Sequence, residues 1–117
     1  MKKLGKSVSK RTSCPIATTL DIIGDKWTLL IIRDIAIFDK HKNKDFQDAG
    51  EKIPTNILAD RLKILVSNKL LEKRLYQNNP PRYEYYLTDS GKGLRPVIKT
   101  MAVWAEKHIT GIKIPKT

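Results

Sequence analysis

The side chains best suited for chemistry in this sequence are basic ones. Among its 117 residues, 23 Lys and Arg outnumber 12 Asp and Glu, which gives a formal net charge of +11 at pH 7. An excess of this size favours a polyanion as the partner, with nucleic acid first and an acidic membrane surface second. Charge alone does not define a fold, so the contacting residues must be inferred from the elements that carry them.

Patterns for catalysis and metal binding are missing from the sequence. It has no Ser/His/Asp set and no paired carboxylates in a predicted cleft, and the glycines of residues 89–93 lack the spacing of a P-loop. Cys14, His41 and His108 match no recognised zinc-ligand spacing. We therefore expect a protein that is not an enzyme and that needs no cofactor or metal.

The single cysteine and the hydropathy pattern indicate a cytoplasmic protein. Cys14 is the only cysteine, which excludes an intrachain disulfide and suits a reducing compartment. The longest aliphatic run, residues 29–32, is far too short to span a bilayer. No membrane association through a spanning segment is expected.

Hydrophobic spacing predicts three helices in the N-terminal half. The first begins at Pro15, because proline is tolerated at the first helical position, and it ends at Gly24. A buried helix follows over residues 26–38. A short amphipathic helix containing Phe46 ends near Gly50.

The C-terminal half predicts a helix, a hairpin and a long last helix. Residues 54–69 place Leu58, Leu62 and Leu65 on one packing side. Strands are predicted at residues 71–77 and 82–87, and a helix at residues 90–108. A helix-turn-helix followed by a two-stranded ribbon is a winged helix, so the expected fold class is mainly α with a small β-hairpin (α+β).

The length and the lack of repeats or linkers indicate one domain, since single domains commonly contain about 100 to 150 residues. We expect it to cover residues 13–110. Residues 1–12 are predicted to form a flexible basic N-terminal tail, and residues 111–117 a C-terminal tail.

Three stretches resemble the HxlR-type family of bacterial transcription regulators, which have MarR-like winged helix-turn-helix folds. They are CPIATTLDIIGDKWTLLIIRDI, ILADRLKILVSNKLLEKRLYQNNPPRYEYYLTDSGKGL and MAVWAEKH, and the match covers roughly residues 13–108. The most specific parts are Cys14-Pro15, IGDKW at 23–27 and PRYEYYLT at 81–88. The resemblance implies a DNA-binding winged helix-turn-helix domain whose N- and C-terminal helices hold a homodimer.

The chain departs from the family pattern between Ile37 and Phe46. The family usually has a glycine-containing turn and an arginine before the phenylalanine there, whereas this chain has FDKHKNKD. Lys40, Lys42 and Lys44 are candidates to take over a phosphate-contacting role at this corner.

Residues 54–69 are the expected recognition helix, with its N-terminal polar residues in the major groove. Asparagine can pair bidentately with adenine, and lysine can reach the acceptors of guanine. The candidate contacts are Thr55, Asn56, Ala59, Arg61 and Lys63. The alternatives are that Thr55 and Asn56 only complete the helix N-terminus, that Lys63 is a solvated charge and that Arg61 forms an intramolecular ion pair. Asp60 is expected to pair with a neighbouring basic residue.

The hairpin is the expected wing. Its candidate contacts along the DNA backbone or in the minor groove are Arg74, Asn78, Asn79 and Arg82. The alternative is a polar loop with a proline turn.

Cys14 is a candidate redox or electrophile sensor, because some members of the family use a cysteine at this place. A thiol at a helix N-terminus beside Lys10 and Arg11 is also expected to hold more thiolate. The alternative is an inert cysteine that packs at the dimer interface.

The expected dimer interface comprises Ile16, Leu20, Ile98, Met101 and Trp104. The last three are also candidates to line a ligand pocket, although no effector can be named from the sequence. These features predict a sequence-specific double-stranded DNA-binding regulator, a repressor, that binds a palindromic operator as a homodimer. The alternative is a nonspecific basic nucleic-acid-binding protein without an effector.

Overall fold

The elements follow the predicted order. A computed structural model of the chain describes residues 13–115, so the predicted basic tail of residues 1–12 and residues 116–117 lie outside it. The elements within this range are α1 (Pro15–Ile23), α2 (Thr28–Ala36), α3 (Asn43–Gln47), α4 (Thr55–Ser67), β1 (Leu71–Asn78), β2 (Pro81–Leu87), α5 (Asp89–Lys92) and α6 (Arg95–His108). The prediction of a helical fold with a small hairpin is confirmed.

The core lies between α2, α3, α4 and the base of the hairpin. Leu58, Leu62 and Leu65 are fully buried, as expected for residues that recur every three or four positions on a helix. Ile32 and Phe46 complete this cluster from α2 and α3. The packing side predicted for α4 is therefore confirmed, and its opposite side is left to solvent.

An aspartate capping contact sets the start of α2. The Asp25 carboxylate accepts hydrogen bonds from the backbone N–H groups of Trp27 (2.9 Å) and Thr28 (3.0 Å), and also from the Thr28 hydroxyl. Because these N–H groups would otherwise lack partners at the helix end, the regular helix begins at Thr28 and not at residue 26 as predicted.

β1 and β2 pair antiparallel, with Leu71 opposite Leu87 and a bulge between Leu75 and Gln77. The tip consists of residues 79–80, and the Gln77 side-chain amide donates to the Pro80 carbonyl oxygen at 3.0 Å. Tyr83 and Tyr85 share one face of β2, but only Tyr85 is buried against the core, whereas Tyr83, nearer the tip, is exposed.

The prediction of one long last helix over residues 90–108 is wrong in its first part, because the chain forms two helices there. Pro96 has no N–H and cannot donate to the carbonyl of Lys92. Leu94 instead donates to Gly91 at 3.0 Å, three residues back, which interrupts the α-helical pattern. α6 then begins at Arg95, with proline in its first turn.

Candidate DNA interface

The candidate recognition helix α4 presents a polar side to solvent. Thr55, Asn56, Ala59 and Lys63 are exposed, and they lie opposite the leucines that α4 buries. Thr55 and Asn56 fall in the first turn of the helix. This arrangement leaves a surface of short polar side chains and one lysine available for contact with base edges.

Arg61 lies at the margin of this surface and makes an intramolecular ion pair. Its Nε atom is 3.3 Å from an oxygen of Asp25, and its Nη1 atom is 3.7 Å from an oxygen of Asp60. The buried Nε has no hydrogen-bond partner of good geometry among the described residues, so the contact with Asp25 is mainly Coulombic. The structure thus shows the ion-pair alternative for Arg61 and the expected pairing of Asp60.

The turn before α4 is held by an arginine clamp, which we define as Arg33, Asp34 and Glu51. The Arg33 guanidinium donates to the two oxygens of Glu51 at 3.0 and 2.8 Å. It also donates to one oxygen of Asp34 through Nε (3.0 Å) and Nη2 (2.8 Å). A bidentate pair of this kind fixes both distance and orientation, so the clamp joins α2 to the segment that leads into α4.

The predicted wing residues are all exposed on the hairpin. Arg74 lies in the middle of β1, where it pairs with Glu72 at 3.3 Å and lies 4.1 Å from the centre of the Tyr86 ring. Asn78 ends β1 and Asn79 lies in the turn. Arg82 lies opposite Gln77. α4 packs against β1, so the candidate recognition helix and the wing are adjacent in the domain.

Two lysines add to the basic character of the wing. The Lys73 ammonium lies 4.0 Å from the centre of the Tyr83 ring, and that of Lys42 lies 4.5 Å from the centre of the Tyr76 ring. Lys42 belongs to the segment that departs from the family pattern. Lys73 was not among the residues predicted for the wing. Strand alternation places it on the same face as Tyr83, and this pattern could have added it to them.

α1 and α6 each carry exposed apolar side chains, which together we call the apolar surface. Ile16, Leu20, Met101 and Trp104 are exposed, whereas Ile98 packs partly buried against the core of its own chain. Val97 and Val103, which were not predicted, extend this surface. Large apolar side chains exposed in this number typically mark an interaction site.

Cys14 is the N-cap residue of α1 and is exposed. It therefore lies at the edge of the apolar surface and in a different element from the candidate DNA contacts. Lys10 and Arg11, which were expected to increase its thiolate content, lie outside the described residues.

Other classes of site find no support within residues 13–115. This range holds no group of three or more His, Cys, Asp and Glu side chains that could bind a metal ion. None of the helices in this range combines the length and the apolar character needed to cross a membrane.

Comparison with known proteins finds a family model and a relative that each match most of the chain. The family model described as HxlR-like helix-turn-helix matches residues 22–113. The uncharacterised HTH-type transcriptional regulator YdeP of Bacillus subtilis (strain 168) is 36% identical over 109 residues, which are 92% of this chain and 84% of YdeP.

Two solved structures are also similar. The crystal structure of PA1607 has a TM-score of 0.77 and 33% identity, over 92% of this chain and 74% of PA1607. The redox regulator HypR in its reduced form has a TM-score of 0.74 and 29% identity, over 83% of this chain and 95% of HypR.

Proposed function

Because this chain belongs to the HxlR-like helix-turn-helix family of DNA-binding transcriptional regulators, we propose that it is a repressor that binds a palindromic operator as a homodimer. The observation that carries the proposal is the two-sided character of α4. Its leucines are fully buried, while Asn56 and Lys63 are exposed on the opposite side. A helix held this rigidly can present side chains to base edges in one register.

Sequence-specific binding is favoured over nonspecific binding to nucleic acid. Charge alone would suffice for a nonspecific protein, but it would not require an ordered helix with exposed amide side chains. Sequencing the DNA that the protein binds in cells would identify an operator. Its affinity relative to random DNA of equal length then separates the two functions, since specific regulators favour their sites by about 10³-fold or more. A ratio near one would leave only the nonspecific function.

The dimer is inferred from the apolar surface on α1 and α6. Two copies that pair these surfaces would remove Trp104, Met101 and Leu20 from water. A two-fold dimer presents two α4 helices and so matches a palindrome. Repression follows most simply, because a dimer that covers a promoter blocks polymerase without a further contact surface. A protein with this role acts in the cytoplasm.

Arg82 is expected to contact DNA phosphate through the wing. Arg82→Ala should weaken binding to operator and random DNA alike and should reduce the slope of log affinity against log salt by about one. Fluorescence anisotropy over a salt series measures both effects. Lys99→Ala, which removes an exposed charge from α6, is the matched control and should leave the slope unchanged. An unaltered slope for Arg82→Ala would remove Arg82 from the interface.

Cys14 is expected to make operator binding sensitive to oxidants or electrophiles. Its exposure at the end of α1 supports this role, as does the similarity to HypR, which is described as a redox regulator. Diamide would join the Cys14 thiols of two protomers in a disulfide and would itself be reduced to the hydrazine. A quinone would add to one thiolate.

The test compares operator binding before and after treatment with diamide or a quinone. Wild type should lose roughly tenfold or more in affinity, and Cys14→Ser should be unaffected. A reductant should restore the diamide-treated protein. Indifference of wild type to both reagents would contradict the sensing role.

A further inference from the structure

The segment between α2 and α3 docks on the wing through His41. The backbone N–H of Tyr85 donates to the His41 carbonyl at 2.8 Å, and the Nδ1 atom of His41 lies 2.8 Å from the Tyr85 carbonyl oxygen. The imidazole also stacks on the Tyr86 ring, with 4.2 Å between the ring centres. His41 therefore contacts β2 through its backbone, its ring nitrogen and its ring face.

The second ring nitrogen of His41 has a partner of the same kind as the first. Its Nε2 atom lies 2.6 Å from an oxygen of Asp39. A backbone carbonyl and an ionised carboxylate only accept hydrogen bonds, whereas neutral imidazole has one N–H to donate. Both contacts can be hydrogen bonds at once only when the ring is protonated.

The charged groups around His41 come from three elements. Asp39, Lys40 and Lys42 flank it in its own segment, Glu84 lies on β2, and Arg74 of β1 lies over the ring of Tyr86. Glu84 also accepts from the Tyr86 hydroxyl at 3.5 Å. The two carboxylates favour the imidazolium, and the three cations oppose it.

The balance favours the protonated ring. Burial lowers the pKa of His41, but the Tyr85 carbonyl, the Asp39 carboxylate and the charge of Glu84 together raise this pKa above its ordinary value. A raised pKa means that both ring hydrogen bonds are present below the ordinary value, about 6.5, and that one of them is lost as pH rises through the higher pKa of the folded chain.

The same segment also touches the other strand of the wing. Lys42, adjacent to His41, lies over the Tyr76 ring of β1. Tyr76 lies between Leu75 and Gln77, where the sheet is bulged. The segment thus contacts β2 near the base of the hairpin and β1 at the bulge. Its position is therefore expected to affect the direction of the exposed tip.

We propose that His41 and Asp39 form a proton-dependent latch that positions the wing for contact with the DNA backbone. The contact of the latch with the wing is independent of the proposed function. Only the effect of the latch on DNA binding rests on that function. His41 acts as a positioning residue. It holds the hairpin in one orientation when protonated and releases one of its two side-chain hydrogen bonds when neutral.

The first test follows the latch without DNA. Nuclear magnetic resonance of the full chain, titrated from pH 5 to pH 9, would record the His41 ring and the amides of Tyr85 and Tyr86. We expect the His41 pKa to lie above that of an ordinary histidine, with the two amides shifting along the same curve. Asp39→Asn should lower the His41 pKa, because it removes the negative partner. Asparagine suits this position, since residue 39 has a φ of 53° and its side chain is 92% exposed.

The second test measures DNA affinity against pH. Wild type should lose roughly fivefold in affinity as the pH rises through the His41 pKa, about the effect of one hydrogen bond. His41→Gln should show no such step, and Asp39→Asn should shift it to lower pH. His108→Gln is the matched control, because it removes the other histidine, which lies beside Trp104 on α6. It should keep the wild-type step.

The outcomes separate the latch from the proposed function. Amides that do not follow His41, or a step that persists in His41→Gln, would overturn the latch. Wild type that binds no DNA at any pH would overturn the proposed function, and the resonance titration would then decide whether His41 and Asp39 hold the wing.

Discussion

Arg33→Ala is expected to lower the free energy of unfolding by about 3 kcal/mol at pH 7, because it leaves a buried carboxylate without its cation. The Asp34 side chain is only 4% exposed and receives two hydrogen bonds from the Arg33 guanidinium. Loss of the guanidinium also releases Glu51 and thereby loosens the segment that leads into α4. Urea unfolding followed by circular dichroism measures the change.

Glu51→Gln is the control for this prediction and should cost less than about 1 kcal/mol, because an exposed partner is screened by water. The Glu51 side chain is 43% exposed, unlike that of Asp34. A loss as large as that of Arg33→Ala would show that the clamp, and not the burial of Asp34, determines the stability.

The same control has a defined pH dependence. The hydrogen bonds from Arg33 lower the pKa of Glu51 below its ordinary value of 4.5. A lowered pKa stabilises the fold above the ordinary value, and this contribution is lost as pH falls through the folded value. The small difference in stability between wild type and Glu51→Gln should therefore disappear as the pH falls below 4.5. A constant difference over this range would contradict the assigned pairing.

Trp104→Glu is expected to separate the proposed homodimer into monomers and to weaken operator binding by roughly 100-fold. Trp104 is 59% exposed and is the largest of the exposed apolar residues of α6. A tryptophan at the centre of an interface commonly contributes about 2 to 4 kcal/mol, and a carboxylate in its place would have to be buried without a partner. Sedimentation velocity measures the oligomeric state, and fluorescence anisotropy measures the affinity.

Ile37→Glu is the matched control for Trp104→Glu. The substitution makes the same change from an apolar to an acidic side chain at a residue that is 49% exposed. Ile37, however, lies at the C-terminal end of α2. It should leave the dimer intact. A Trp104→Glu chain that still sediments as a dimer would move the interface away from α6.

Element order could be predicted because it depends on local spacing. Leu58, Leu62 and Leu65 lie one helical turn apart, and their burial in the structure follows from that periodicity. The last helix was less well predicted, because Pro96 interrupts the helical hydrogen bonds of the preceding turn. Helical geometry also separates Ile98 from Trp104 by about 120° around the axis, so one packs inward while the other faces solvent.

The contacts that position the candidate interface could not be predicted from local patterns. Arg33 and Glu51 are 18 residues apart, and His41 and Tyr85 are 44 apart. Each pair meets only because the packed core brings a helix and a loop, or a loop and a strand, together. The ion pairs of Arg61 also depend on packing. Packing places the Asp25 carboxylate beside Arg61, in addition to Asp60 of the same helix.

Asp25 has a mechanical consequence for the proposed dimer. One carboxylate caps α2 and also attracts Arg61 of α4, so the candidate recognition helix is tied to the core helix α2. They are therefore expected to move as one rigid body. The distance between the two recognition helices would then be set by how α1 and α6 pair across the two-fold axis. How well the dimer binds operators with different half-site spacing would depend on how easily the interface between these helices deforms.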